Sequence, residues 1–331
     1  MKQIMLRSLL FTFLLIFNLM VRAAAITDDP LPSWNNTPVK QHLMRFMHQV
    51  TDKKNSLYVP VSERIATLDN DGTLWVEYPI YTQAEFAMSQ IKILAPKHPE
   101  WKTKAPFKAV LNNDTKAIAH FSSHDWASIL AATHAGMTIN AFNKTVTNWL
   151  ATATNPHFHK GYTQLAYQPM LELINYLQNN FFKVYIVTGG GQEFVRSFAE
   201  SVYGIPPENV IGTAGKIQYA YQHGKPVLIK LPTVLFVDDK VGKPEAIQLF
   251  IGRHPLLAIG NSDGDRQMLE WTSARQGAHF TALVHHDDAK REFAYDKNSH
   301  VGTFPNSLMT EAKQKNWTVI SMKKDWKVIF P

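Results

Sequence analysis

Apolar residues fall into two kinds of run along this chain. The short runs are nearly continuous and carry β-branched residues: Ile65 to Leu68, Phe182 to Val187, Leu256 to Ile259 and Phe280 to Val284. Runs of this length between polar turns read as strands buried on both faces of a sheet. The longer runs repeat at helical spacing. Lys40 to Thr51 carries Leu43, Met44, Phe46, Met47 and Val50, and Gln168 to Asn180 turns Met170, Leu171, Ile174 and Leu177 inward. From Tyr81 to Tyr162 the pattern is helical, with amphipathic stretches at Gln83 to Leu94, Asp125 to His134 and Ile139 to Ala151, and no strand alternation of any length. Lys216 to Leu231 alternates loosely around Gly224-Lys225-Pro226, which predicts a β-hairpin. Trp317 to Phe330 reads as further strand. Strands alternating with helices predict an α/β protein with a mostly parallel sheet.

The start of the chain follows a different pattern. Lys2 and Arg7 precede an apolar run to Val21, and Ala23-Ala24-Ala25 follows. A basic start, an apolar stretch too short for a membrane span and a small-residue cleavage site make a secretory signal peptide. Residues 1–25 are therefore expected to be removed and the protein exported, to the periplasm where the cell has two membranes. No stable membrane association is expected after cleavage.

Chemistry gathers where the strand-like runs stop. Ile65 to Leu68 ends at Asp69-Asn70-Asp71-Gly72-Thr73. Two carboxylates at the end of a buried strand are costly unless a cation or a protonation change compensates them. The arrangement suits phosphoryl transfer: Asp69 as a nucleophile forming an aspartyl-phosphate, Asp71 as the acid and then the base. A hard cation with oxygen ligands, Mg²⁺, would screen the two anions. Gly72 permits a tight turn or a close approach of backbone to ligand. The second run ends at Thr188-Gly189-Gly190-Gly191 before a helix expected from Gln192, a junction where a hydroxyl and free backbone N–H groups can hold an anion. Lys240 and Lys243 precede a helix expected over Glu245 to Phe250, with Pro244 at its start. The run Leu256 to Ile259 ends at Gly260-Asn261-Ser262-Asp263-Gly264-Asp265, a loop of oxygen donors.

Asp69 to Thr73 resembles the first motif, D-x-D-G-T, of the haloacid dehalogenase superfamily, and the other three segments follow in that superfamily's order. The resemblance covers about Ile65 to Leu269 and is nearest to the phosphoserine-phosphatase-like hydrolases. It implies a three-layer α/β Rossmannoid sandwich from residues 26–76 and 163–331, with residues 77–162 as an inserted helical cap. It implies that Gly72, Thr188 and the Gly189 amide hold the transferring phosphoryl group, and that Lys243, in preference to Lys240, neutralises it together with Asp69. Asp69, Asp71, Asn261, Asp263 and Asp265 become the candidate Mg²⁺ ligands, Asp265 supporting from behind. Asn261 departs from the pattern, because the superfamily places a carboxylate there.

The activity so implied is hydrolysis of a small phosphomonoester. A dehalogenase is the rival of the same fold, disfavoured because Asp71 has no leaving group to protonate in that reaction. A phosphotransferase and a non-catalytic exported binding protein are the other rivals, the last suggested by Asn261. Composition narrows little more. The 331 residues include no cysteine, which excludes thiolate metal sites and a cysteine nucleophile in this chain. The formal net charge of +7 drops to +4 without Lys2, Arg7 and Arg22, and no basic tract of a nucleic-acid protein is visible. The cap histidines and tryptophans, His98, Trp101, His120, His124, Trp126, His134 and Trp149, read as packing. His285-His286-Asp287-Asp288 reads as a loop after a strand.

Overall fold

The computed structural model of the protein describes residues 29–331, so the leader read in residues 1–25 lies outside the described residues. Seven strands are present: β1 Ile65–Leu68, β2 Lys183–Gly191, β3 Val210–Gln222, β4 Lys225–Phe236, β5 Leu257–Gly260, β6 Phe280–His285 and β7 Thr318–Ser321. They form one sheet in the order β4-β3-β2-β1-β5-β6-β7. Every pairing is parallel except that of β3 with β4. All four residues of β1 are buried, as its apolar run predicts for the centre of a covered sheet. Ala66 pairs with Val184 on one side and with Leu257 on the other. The chain leaves β1 for β2 and later returns to the opposite side with β5. Such a reversal opens a crevice at the carboxyl ends of the strands, and Asp69 stands at that end of β1.

Helices cover both faces. On one, Leu43 and Met47 of the helix Pro38–Thr51 and Met170 and Ile174 of the helix Gln168–Asn179 pack with Leu68, Ile186 and Ile259. On the other, Ile247 of the helix Gly242–Phe250, Leu269 of Arg266–Ser273 and Leu308 of Asn306–Gln314 pack with Val187, Ala258 and Leu283. This is the three-layer α/β sandwich expected from the sequence. Between β1 and β2 the α-helices Thr82–Leu94, Phe107–Leu111, Thr115–Ile118, Ser123–His134 and Ile139–Leu150 occur without a strand among them. Ala87, Ile91, Trp101, Phe107, Val110 and Ile129 form a small core of their own there. His134 packs against Phe86 and Phe142, ring centroids 5.7 and 4.8 Å away, and burial lowers its imidazole to about 3.

Two expectations need correction. The hairpin forms around Gly224 as expected but is longer than the alternation suggests, and its turn is His223-Gly224, at φ 51 and 75, so that Lys225 and Pro226 already lie in β4. Pro226 sits inside β4 opposite Tyr221, which is possible because β4 is an edge strand and a missing N–H is tolerated there. In the final segment, only Thr318–Ser321 is strand. Ser321 then caps the helix Met322–Asp325 by accepting from the Lys324 N–H, and local capping by a serine competes with continued extension.

Candidate active site

The Asp69 N–H donates to Ile259 O at 2.9 Å, which ties the start of the loop to β5. The chain then folds back: Gly72 has φ 73 and its N–H donates to Trp75 O at 2.8 Å. A Cβ on Gly72 would stand 2.1 Å from Asn261 Nδ2, so the turn admits only glycine.

Three separated segments meet at Lys243. Its ammonium donates to Asp69 Oδ1 at 2.6 Å, to Asp265 Oδ1 at 2.6 Å and to Val187 O at 2.8 Å. All three protons are used, so contact with a further anion would cost one of these bonds. Lys243 is buried in the first turn of the helix Gly242–Phe250, whereas Lys240 is exposed. Burial pulls the Lys243 pKa down, but the Asp265 and Asp69 carboxylates more than offset this and hold it raised. Asp265 Oδ2 accepts from the Asn261 and Ser262 amides at 3.0 and 3.1 Å. The Asp69 side chain keeps 9% exposure against 1% for Asp265, so Asp69 is the member of the pair that solvent reaches.

Asp69 Oδ2 and Asn261 Oδ1 both face the Thr73 hydroxyl, at 3.4 and 3.2 Å. Asn261 Nδ2 donates to Glu77 Oε1 at 2.6 Å, and the Tyr295 hydroxyl donates to the same oxygen at 2.8 Å. Asp71 Oδ1 accepts from the Trp75 indole at 2.8 Å. A Cβ placed on Gly190 would lie 3.3 Å from both Asp71 Oδ2 and Thr188 Oγ1, so Asp71, Thr188 and Gly190 border one small space. Gly189 faces Asp239, whose Cβ would be 3.8 Å from a Cβ on it.

Two of the amides after Thr188 already have partners within the protein. The Gly190 N–H donates to Thr188 Oγ1 at 3.0 Å, and the Gly191 N–H donates to Gln83 Oε1 at 2.7 Å. Strand β2 runs on through Gly191 and the following helix, Gln192–Arg196, is only five residues long. Nor does the structure bring Asp263 into the cluster. Its Oδ1 accepts from Arg266 Nε at 3.1 Å and Nη2 at 2.7 Å.

Burial raises the pKa of Asp69, Asp71 and Glu77. Asp265 adds repulsion at Asp69, while Asp71 and Asp69 add it at Glu77. The pocket therefore holds more carboxylate than Lys243 balances. Carboxylate and amide oxygens without thiolate or imidazole are the donor set that Mg²⁺ prefers. Among the described residues no three His, Cys, Asp or Glu side chains stand as a ready-made ligand cluster, so the fit rests on charge and donor type.

Residues behind the site carry no motif, and His286 belongs to the segment read from the sequence as a loop after a strand. His286 is buried; its Nε2 donates to Gly72 O at 2.7 Å and its Nδ1 lies 3.1 Å from Glu292 Oε2. The Tyr167 hydroxyl donates to Glu292 Oε1 at 3.1 Å. Glu77, read from the sequence only as part of a turn or flap, is 2% exposed. A glutamate between Val76 and Tyr78 on a buried stretch is the one signal that pointed to it.

Comparison with the curated proteins gives no match. Among solved structures, a conserved functionally unknown protein from Anaerococcus prevotii DSM 20548 shares the fold. It is 14% identical, with a TM-score of 0.51, over 88% of this chain and 93% of its own. A protein with unknown function from Bordetella pertussis Tohama I matches at 14% identity and a TM-score of 0.47, over 78% of this chain and 98% of its own. A phosphoserine phosphohydrolase-like protein from Francisella tularensis subsp. tularensis SCHU S4 matches at 17% identity and a TM-score of 0.36, over 67% and 88%. The family model of the haloacid dehalogenase-like hydrolases matches residues 66–270, from β1 to the helix after the Asn261 loop. With the Asp69, Thr188, Lys243 and Asn261 segments in order and converging on one crevice, this chain belongs to the haloacid dehalogenase-like hydrolases.

Proposed function

We propose that the protein is an exported, Mg²⁺-dependent phosphomonoesterase that works through an aspartyl-phosphate on Asp69. The observation that carries this reading is the Lys243 ammonium at 2.6 Å from both Asp69 and Asp265. A lysine that pins a solvent-reaching carboxylate at the mouth of a sheet crevice orients a nucleophile.

Asp69 attacks phosphorus, and its carboxylate is held in place by Lys243 and Thr73. Asp71 is fixed by the Trp75 indole and keeps its other oxygen toward the space shared with Thr188 and Gly190. Burial raises its pKa, which favours the protonated form that gives a proton to the leaving oxygen. The same group then takes a proton from the water that opens the intermediate. Thr188 Oγ1 already accepts from Gly190, which turns its own proton outward for a phosphoryl oxygen. Asp69, Asp71 and Asn261 would hold Mg²⁺. The metal, when bound, supplies charge neutralisation for the carboxylates and the phosphoryl group. The helical insert at 77–162 is read as the cap that excludes water, with Gln83 touching the Gly191 end of β2. Export rests on the leader pattern in residues 1–25, and N-terminal sequencing of the mature protein tests it.

The experiment for the activity is a panel of phosphate esters with purified mature protein, with and without Mg²⁺. Turnover that requires Mg²⁺ and is lost in Asp69→Asn, by at least about a thousandfold with the fold intact, is expected. Undiminished turnover in that variant removes Asp69 as the nucleophile. Phosphoryl transfer to a competing alcohol would identify a phosphotransferase instead.

A further inference from the structure

We propose that Glu77 is the positioning residue of the cation site and supplies, from behind Asn261, the negative charge that an asparagine lacks. The inference rests on the cation site proposed above.

Three observations carry it. First, Asn261 Nδ2 donates to Glu77 Oε1, which turns Asn261 Oδ1 toward the Thr73 hydroxyl that Asp69 Oδ2 also faces. An amide held by its nitrogen on a carboxylate presents its oxygen in one direction only. Second, the backbone is shaped to admit this carboxylate. Gly72 and Gly302 lie on either side at φ 73 and 54. A Cβ on either would stand 2.4 or 1.7 Å from Glu77 Oε1. Third, the donors that Glu77 receives, the Asn261 amide and the Tyr295 hydroxyl, are neutral. A buried carboxylate is costly as structure alone, and well-packed apolar side chains usually stabilise as much. Beside two more carboxylates that cost is recovered when a cation enters. The Asn261 and Glu77 pair then acts as a ligating carboxylate split in two: the amide oxygen reaches the metal and the charge sits one hydrogen bond behind. Groups behind a ligand set its orientation and basicity, and losing one weakens metal binding.

The test titrates MgCl₂ into the purified protein by calorimetry, with Glu77→Gln, Asn261→Asp and the double variant compared. Glu77→Gln is expected to weaken Mg²⁺ binding by about 10- to 100-fold. The double variant keeps an amide and a carboxylate in contact with their places exchanged. It should bind within about threefold of the unaltered protein, since the two changes are coupled. Unchanged binding in Glu77→Gln, or a folded double variant as weak as Glu77→Gln, overturns the proposal. Should Glu77→Gln fail to fold by circular dichroism, the double variant carries the test alone: folded with Mg²⁺ affinity retained supports it, folded without affinity sinks it. Mg²⁺-dependent hydrolysis by the unaltered protein with Glu77→Gln unaffected removes this inference only. An unaltered protein that binds no Mg²⁺ removes the proposed function with it.

Discussion

The two flanks of Asp69 are charged in opposite ways. On the Lys243 flank, two carboxylates share one ammonium, each at 2.6 Å, and the second of them is anchored by two amides. On the Glu77 flank, a buried carboxylate receives an amide and a phenol, and Asp71 receives an indole. The first flank carries its own cation. The second carries polar order without one, which leaves a place for a charge from solution. Preorganised attraction on one side and unbalanced carboxylate on the other is an arrangement that would suit a phosphate ester beside the cation proposed above.

The largest break in this comparison comes from making the Lys243 flank resemble the other. Lys243→Met keeps the length of the side chain and removes the ammonium, leaving Asp69 and Asp265 buried without a partner charge. Losing one member of a buried pair costs about 3–5 kcal/mol. We expect that loss in urea unfolding at pH 7, together with loss of phosphate-ester turnover. The cost should shrink as pH falls and Asp69, whose carboxyl burial raises, protonates. A variant as stable as the unaltered protein at pH 7 would show that the pair is not what closes this flank.

The next effect belongs to the Glu77 flank. Burial raises the carboxyls of Asp69, Asp71 and Glu77, so protons would compete there with the Mg²⁺ proposed above. Mg²⁺ affinity is expected to rise with pH, by about tenfold per unit for each proton released. Calorimetry in buffers of different ionisation enthalpy counts those protons. Affinity independent of pH would mean that the carboxyls are already ionised without metal.

The sequence shows the Lys243 flank much better than the Glu77 flank, and the reason is physical. Asp69, Thr188 and Asn261 each sit directly at or beyond a buried strand, where the sheet dictates their meeting point. Lys243 opens a helix that Pro244 marks, and the exposed Lys240 loses to it because the helix start turns only one of the two lysines inward. Glu77 reaches Asn261 through a fold-back that needs Gly72 at positive φ, and Tyr295 comes from 218 positions along the chain. His286 is 214 positions from Gly72. Nothing local in a strand or helix pattern fixes such pairs, which come from the irregular segment between β6 and β7. The engagement of the Gly190 and Gly191 amides escaped the pattern for a related reason: Gln83, from the segment between β1 and β2, bonds the Gly191 amide and β2 runs on through glycines that alone would end it.

The smallest effect sharpens the comparison by testing whether the Lys243 flank holds a carboxylate too many. Asp238 is fully buried, close enough for Lys243 to feel its charge, and burial pushes its carboxyl up to about 7 from the usual 3.8. The sign follows from the protons bound. The folded protein holds this proton more tightly than the unfolded chain, so the group favours the fold fully below pH 3.8. That contribution is lost as pH rises through about 7. Above this the ionised Asp238 should weigh against the fold by at most about 4 kcal/mol. Asp238→Asn keeps the shape and removes the ionisation. It should raise the thermal midpoint most at pH 8, by less than half as much at pH 5, and flatten the profile between. A midpoint at pH 8 that does not move would mean that Lys243 already balances Asp238 as well as Asp69 and Asp265. The ammonium would then serve three carboxylates, and the contrast between the flanks would lie in its reach more than in the number of charges on each side.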